Sequence, residues 1–347
     1  MKRIAALFGA SILAACAATP VPVSPIAPAQ AAAPAMDAPT APRAELGSFG
    51  FAQNGMDESV RPGDDFYKYA NGTWARETAI PADKANYGMF TKLDDLSRDR
   101  TRTLIEEQSK DPASRIGAVY ASFMDSAAVE AKGLSAFAPW LDQVRGLQSR
   151  AALAALYAEA GKLNIGTPFA SYVGQDDKEP DQYILSFSQS GLGMPDRDYY
   201  LSKDAKLADT KAKYLAHLTN VLTLSGEANA AARARAILDF ETRIAQASWT
   251  KIDSRDATKT YNKRSLQQLA ASSPGFDFKR FVAASGARRV DSMLVAQPSA
   301  VSKIAALVGR APLSVLKDQL LVRSLDAYAA YLPSAFDREQ FAFYGTV

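Results

Sequence analysis

Residues Tyr214–Ile244 read YLAHLTNVLTLSGEANAAARARAILDFETRI, and this run holds two apolar stripes separated by a turn. Tyr214, Leu218 and Val221 recur at helical spacing, as do Ile237, Phe240 and Ile244. An α-helix turns about every 3.6 residues, so such spacing lines side chains along one face. Ser225-Gly226 falls between the stripes, where glycine ends a helix at little steric cost. An antiparallel helix pair is expected. Outward from this pair the pattern recurs. Ile116, Val119, Tyr120 and Phe123 form one further stripe, and Leu313, Leu316 and Leu320 another. Ser265-Leu266-Gln267-Gln268 has the capping-box spacing that opens a helix. The exception is Thr167–Ser188, where Phe169, Ser171, Val173 and then Tyr183, Leu185, Phe187 alternate with smaller or polar residues. A polar loop, Gly174–Asp181 with Pro180, lies between them, so this stretch reads as a β-hairpin. The fold class expected is mainly α: a multi-helix domain with one small β-hairpin. Its aromatic stripes read as core.

The chain's 347 residues suffice for roughly two to three domains at ~150 residues each. Hydrophobic content of 48% against 22% charged lets such a chain bury a sizeable core. A formal net charge of +3 leaves no electrostatic footprint for nucleic acid. One cysteine and one histidine exclude a four-cysteine or Cys2His2 zinc site and any intrachain disulfide. A Ser-His-Asp triad is open only if His217 is its base. There is no internal repeat and no Gly-rich phosphate loop.

Met1–Ala15 carries Lys2 and Arg3, then ten apolar residues from Ile4 to Leu13. That length suits a signal peptide; a membrane span needs ~20 residues. Leu13-Ala14-Ala15-Cys16 resembles the lipobox of bacterial lipoproteins, which implies cleavage before Cys16 and lipid attachment to it. The alternative is an ordinary secretory signal cut near Ala18. Ala17 after the cysteine resembles the pattern sorted to the outer membrane. The localisation expected is the bacterial cell envelope, lipid-anchored and facing the periplasm. Without Lys2 and Arg3 the body holds 38 basic against 37 acidic residues, so acyl chains rather than charge must hold it there. Residues 16–44 are rich in proline and alanine and read as an extended or disordered tether. The organisation expected is signal peptide 1–15, linker 16–44 and helical domain 45–347.

Val60-Arg61-Pro62-Gly63-Asp64-Asp65-Phe66-Tyr67, followed by Asn71-Gly72-Thr73-Trp74, resembles the opening motif of the M13 (neprilysin-like) zinc metalloendopeptidases. Ile80-Pro81-Ala82-Asp83-Lys84 with Tyr87-Gly88-Met89-Phe90 continues the likeness. Further matches follow in order: Gly191-Leu192-Gly193-Met194-Pro195-Asp196-Arg197-Asp198-Tyr199-Tyr200, then Tyr261-Asn262-Lys263, then Leu332-Pro333-Ser334-Ala335-Phe336 with Phe341–Gly345. Five strings in register are specific where one would be weak.

The resemblance implies an amino-terminal helical domain that caps the zinc domain and encloses peptide substrates. The family's His-Glu-x-x-His helix, whose histidines meet on one face around the ion, is not in this chain. Catalytic and metal residues are therefore expected to be none here, with zinc belonging to the full-length enzyme. The partners implied are the carboxy-terminal catalytic domain, peptide substrates and, through lipid, the membrane; nucleic acid is not among them. His217 is expected to be a partly buried or surface helix residue. Substrate contact is implied for Asn86, Tyr87, Gly88 and Phe90. Asn86 stands where neprilysin-like members place a carboxylate-gripping arginine, and Thr91 where its acidic support would be. That departure implies weak dipeptidyl-carboxypeptidase character; the alternative for Asn86–Thr91 is a packed turn feeding a helix. The function expected is that of an amino-terminal cap in a lipid-anchored, peptide-hydrolysing M13 metalloendopeptidase. The chain itself should be inactive and carboxy-terminally incomplete. The alternative is a standalone lipoprotein that binds peptides or a partner without catalysis. An incomplete domain would leave Phe336, Phe341, Phe343 and Tyr344 without partners and fray Ser334–Val347, while the stripes between Arg98 and Leu332 find theirs.

Asp64-Asp65, Asp94-Asp95, Asp176-Asp177 and Asp196 with Asp198 lack calcium-loop spacing and read as caps and ion pairs. Asp64-Asp65 should hold the Pro62 turn and cap the helix begun by Phe66.

Overall fold

The computed structural model describes residues 53–82, 84–287 and 290–346. The leader, Cys16 and the proline-rich stretch lie outside the described residues. The body expected over 45–347 divides into two units, at Arg98/Asp99.

The first unit contains a 3-10 turn at Gln53–Gly55, α1 (Phe66–Glu77) and the start of α2 (Met89–Gln108). Asp65 caps α1, its Oδ1 accepting from the Lys68 amide at 2.9 Å. Asn71 donates to the Tyr67 carbonyl at 3.2 Å, and Thr73 Oγ1 to the Met56 carbonyl at 2.8 Å. A Cβ on Gly72 would lie 2.8 Å from Asp57 Cβ, so glycine lets the chain around Asp57 lie against α1. Neither α1 nor α2 has a buried residue.

The second unit continues with α3 (Arg115–Met124), α4 (Ser126–Lys132), α5 (Ala138–Arg145), α6 (Arg150–Lys162), β1 (Phe169–Gln175) and β2 (Tyr183–Gln189). Then come α7 (Asp198–Leu201), α8 (Ala205–Leu224), α9 (Ala230–Ala247), α10 (Lys251–Arg255), α11 (Ala257–Thr260), β3 (Lys263–Arg264) and α12 (Leu266–Ser272). The unit closes with α13 (Phe278–Ser285), β4 (Met293–Val295), α14 (Pro298–Arg310), α15 (Leu313–Tyr328), α16 (Ser334–Gln340) and a π turn at Phe341–Gly345.

Helices α8 and α9 pack as the expected pair around Gly226, whose φ of 78° suits glycine alone without strain. Their stripes are buried together with Leu141, Leu153, Phe278, Ile304 and Leu316 in one core. Ser265 and Gln268 form the reciprocal capping box that opens α12. The hairpin forms too, with Phe169 opposite Gln189 and Gln175 opposite Tyr183. It is half of a larger sheet, ordered β1-β2-β4-β3, in which β4 runs parallel to β2 and antiparallel to β3. Strands of two and three residues give too short an alternation to be read from sequence. With β2 inside the sheet, Ile184, Leu185, Ser186 and Phe187 are all buried, so its alternation is lost.

Three expectations are corrected. The α3 stripe is not buried in this chain: Ile116, Val119 and Phe123 are exposed. In the tail, Phe336 and Phe343 are buried against the second unit's core; Phe341 and Tyr344 are the exposed pair. His217 is fully buried, not partly buried or on the surface.

Candidate functional site

The four residues implicated in substrate contact do not converge. Tyr87 and Gly88 line a concavity of about 560 Å³ together with Phe66, Tyr67, Trp74 and Met89. Asn86 is exposed outside that lining, and Phe90 is 91% exposed. The Trp74 and Tyr87 rings stack at 6.4 Å with planes 14° apart, and Lys84 Nζ lies 5.7 Å from the Tyr87 centroid. Lys84 is itself held by Asp95 at 2.5 Å. Asn86–Gly88 forms a loop running straight into α2. The aromatic wall from α1 escaped the sequence reading, which assigned aromatics to the core. The available signal was that two motif-bearing strings, Phe66–Trp74 and Tyr87–Met89, are both aromatic. Such a concavity can hold apolar side chains of a ligand. It offers no nucleophile paired with a base.

The string Gly191–Tyr200 has a different role. Glu241, wholly buried, accepts from Tyr200 Oη at 2.7 Å, Tyr214 Oη at 3.0 Å, Gln319 Nε2 at 3.0 Å and Arg323 Nη2 at 2.6 Å. Tyr200 Oη in turn accepts from the Gly193 and Met194 amides at 2.8 and 3.1 Å. A Cβ on Gly193 would collide with Tyr214 Oη and the Arg323 guanidinium. The buried charge is thus compensated and its hydrogen bonds filled, which makes the string a structural hub.

Tyr261-Asn262-Lys263 pins the hairpin loop. Tyr261 Oη donates to Asp176 Oδ1 at 2.8 Å, and Lys263 Nζ lies 3.2 Å from Asp176 Oδ2. The Lys178 amide, then Tyr261 and Lys263, outweigh burial and bring the Asp176 pKa down to about 2. The other acid pairs act as caps and ion-pair partners. Asp94 meets Arg98 at 2.9 Å, Asp95 meets Lys84, and Asp196 Oδ1 accepts from the Asp198 amide at 2.7 Å.

Among the described residues, no three His, Cys, Asp or Glu side chains are grouped to hold a metal ion. His217 meets Asp326 and Glu339 through opposite ring nitrogens, a geometry with no shared centre for a cation. The zinc implied by the resemblance therefore does not fit the donors described in this chain.

The family model described as peptidase family M13 matches residues 62–347. Endothelin-converting enzyme-like 1 of Mus musculus is 26% identical over 309 residues, 82% of this chain and 40% of its own length. Neprilysin-3 of Drosophila melanogaster is 27% identical over 235 residues, 63% of this chain and 30% of its own. The crystal structure of Mycobacterium tuberculosis zinc metalloprotease Zmp1 in complex with inhibitor superposes with a TM-score of 0.76 at 32% identity, covering 85% of this chain and 46% of that one. The chain spans less than half the length of these relatives.

Proposed function

This chain belongs to peptidase family M13 through that family's amino-terminal domain, and from this premise we propose that it caps a zinc metalloendopeptidase and encloses the peptides that enzyme hydrolyses. The observation that carries the reading is the aromatic concavity built from two of the family-like strings, Phe66–Trp74 and Tyr87–Met89. Its walls take an apolar side chain of an extended peptide. Asn86, uncharged and exposed, leaves the peptide's terminal carboxylate without an arginine clamp, which favours endopeptidase action. Zinc, held in a carboxy-terminal catalytic domain, would supply the activated water. This chain supplies recognition and enclosure, and alone it cleaves nothing.

The same proposal anchors the protein by acylated Cys16 at the bacterial envelope, facing the periplasm and retained at the outer membrane. Lys2-Arg3, the apolar stretch and Leu13-Ala14-Ala15-Cys16 support it.

The test uses the chain joined to its catalytic domain. Trp74→Ala should raise the KM for apolar peptides roughly tenfold, the equivalent of ~1.4 kcal/mol, with kcat little changed. An unchanged KM removes the concavity from recognition. Chelator-sensitive hydrolysis by the 347-residue chain alone would overturn the division of labour. Cys16→Ser should end fatty-acid incorporation and release the protein to the soluble fraction; a mutant still acylated refutes the anchor.

A further inference from the structure

The chain's single histidine lies in the interior of the second unit, where α8, α15, α16 and the π turn meet. His217 on α8 is 1% exposed. Its Nδ1 is 3.1 Å from Glu339 Oε1 on α16, and its Nε2 is 3.1 Å from Asp326 Oδ1 on α15. Phe343 of the π turn stacks on the imidazole at 5.2 Å with planes 18° apart, and Tyr344 meets it edge-on at 5.3 Å. An ionic contact from Glu339 and aromatic contacts from Phe343 and Tyr344 therefore converge on one ring, while Phe343 also meets Tyr214 at 5.3 Å and Phe336 packs into the core.

Neutral imidazole carries one N–H and so can donate to one carboxylate only. The other ring nitrogen would then present a lone pair to a carboxylate oxygen at 3.1 Å. The imidazolium donates to both. Among the described residues Asp326 Oδ2 is buried without a hydrogen-bond partner, and the ion pair given for Asp326 is the one with His217 at 3.1 Å. The other groups near the ring are already engaged. Glu339 Oε2 accepts from Asn220 Nδ2 at 3.0 Å, and Tyr214 Oη donates to Glu241. Arg323, which faces Tyr344, is paired with Glu241 at 2.6 Å.

We propose that His217 is a proton-operated clasp: as imidazolium it ties α16 and the π turn to α8 and α15, and on losing its proton it lets that carboxy-terminal segment go. Burial pulls the His217 pKa down, but the hydrogen bonds and charges of Asp326 and Glu339 outweigh it and leave it raised. A raised folded-state pKa makes the clasp complete below the ordinary histidine value of ~6.5 and loosens it as pH rises through the folded value. The segment is therefore held at low pH and freed as pH rises past the raised folded-state value. The clasp acts on this domain's own packing and does not depend on the peptidase reading.

One histidine in the chain gives one imidazole signal, so the untagged protein labelled with ¹⁵N-histidine reports the clasp directly. The expected midpoint lies above 6.5, both ring nitrogens carry protons at pH 6, and Glu339→Gln lowers the midpoint by about one pH unit. Proteolytic cleavage within 334–346 should quicken on the order of tenfold between pH 6 and pH 9, while the rate in Glu339→Gln is already high at pH 6. His217→Gln should remove the pH dependence. A midpoint at or below 6.5, or pH-independent cleavage in the native protein, overturns the proposal. Should His217→Gln not fold, the Glu339→Gln titration decides alone, because Glu339 lies at the rim of the contact with its side chain 19% exposed.

Discussion

Helix α8 buries Tyr214, Leu218 and Val221 to 2% exposure or less, whereas α3, with the same apolar spacing, leaves Ile116 at 55%, Val119 at 71% and Phe123 at 50%. Helix α8 is met by α9, α15 and α16. Helix α3 touches its surroundings at Gly117, which faces the Gln108–Ser109 backbone, and at Phe123, whose ring meets Tyr331 edge-on at 5.8 Å. Its stripe instead lines an apolar groove of about 970 Å³ with Ile105, Val129 and Tyr331. Periodicity thus specifies that a helix has an apolar face; it does not say what covers that face.

The contrast yields four measurements. The largest effect should come from Glu241 behind α8. Glu241→Ala strands the Arg323 guanidinium among buried groups and should cost about 3–5 kcal/mol in urea unfolding. A loss under about 1 kcal/mol would mean that water replaces the carboxylate. Next, Leu218→Ala should cost about 2–5 kcal/mol, because a buried cavity adds to the lost transfer energy. Equal costs for Leu218→Ala and Val119→Ala would break the comparison.

A third measurement moves to the hairpin loop. The folded-state pKa of Asp176 is depressed, so its stabilisation is present above the ordinary aspartate value of ~3.9 and is lost as pH falls through about 2. Asp176→Asn should be less stable than the native chain at pH 7, and the gap should close towards pH 2. A gap of the same size at both pH values would remove the ion pairing with Lys263 from the account. The smallest effect belongs to α3. Val119→Ser should change stability by no more than about 0.5 kcal/mol while lowering binding of a hydrophobic dye to the groove. A large loss of stability would show that the α3 face is covered in solution.

Much of the fold was legible because its signals act over a few residues. Asp65 reaches the amide of Lys68, Ser265 and Gln268 cap each other, and Gly226 ends α8. The hairpin was readable for the same reason, since its two strands are joined by one polar loop. The aromatic concavity was only half legible. Tyr87 and Gly88 were singled out, but Phe66, Tyr67 and Trp74 were indistinguishable from core aromatics until their exposure was known. Asn86 and Phe90 are sequence neighbours of that concavity without lining it.

By itself the sequence determined the helices, their caps, the hairpin, the absence of a zinc-binding histidine pair and the family likeness, because each rests on residue type and short spacing. Tertiary structure alone decided which faces are covered. Trp140 Nε1 finds Ser324 Oγ across 184 residues, and β4 finds β2 across more than a hundred. His217 meets Asp326 and Glu339 across 109 and 122 residues. Such meetings depend on the whole chain having folded around them, and no local pattern encodes a partner so far away.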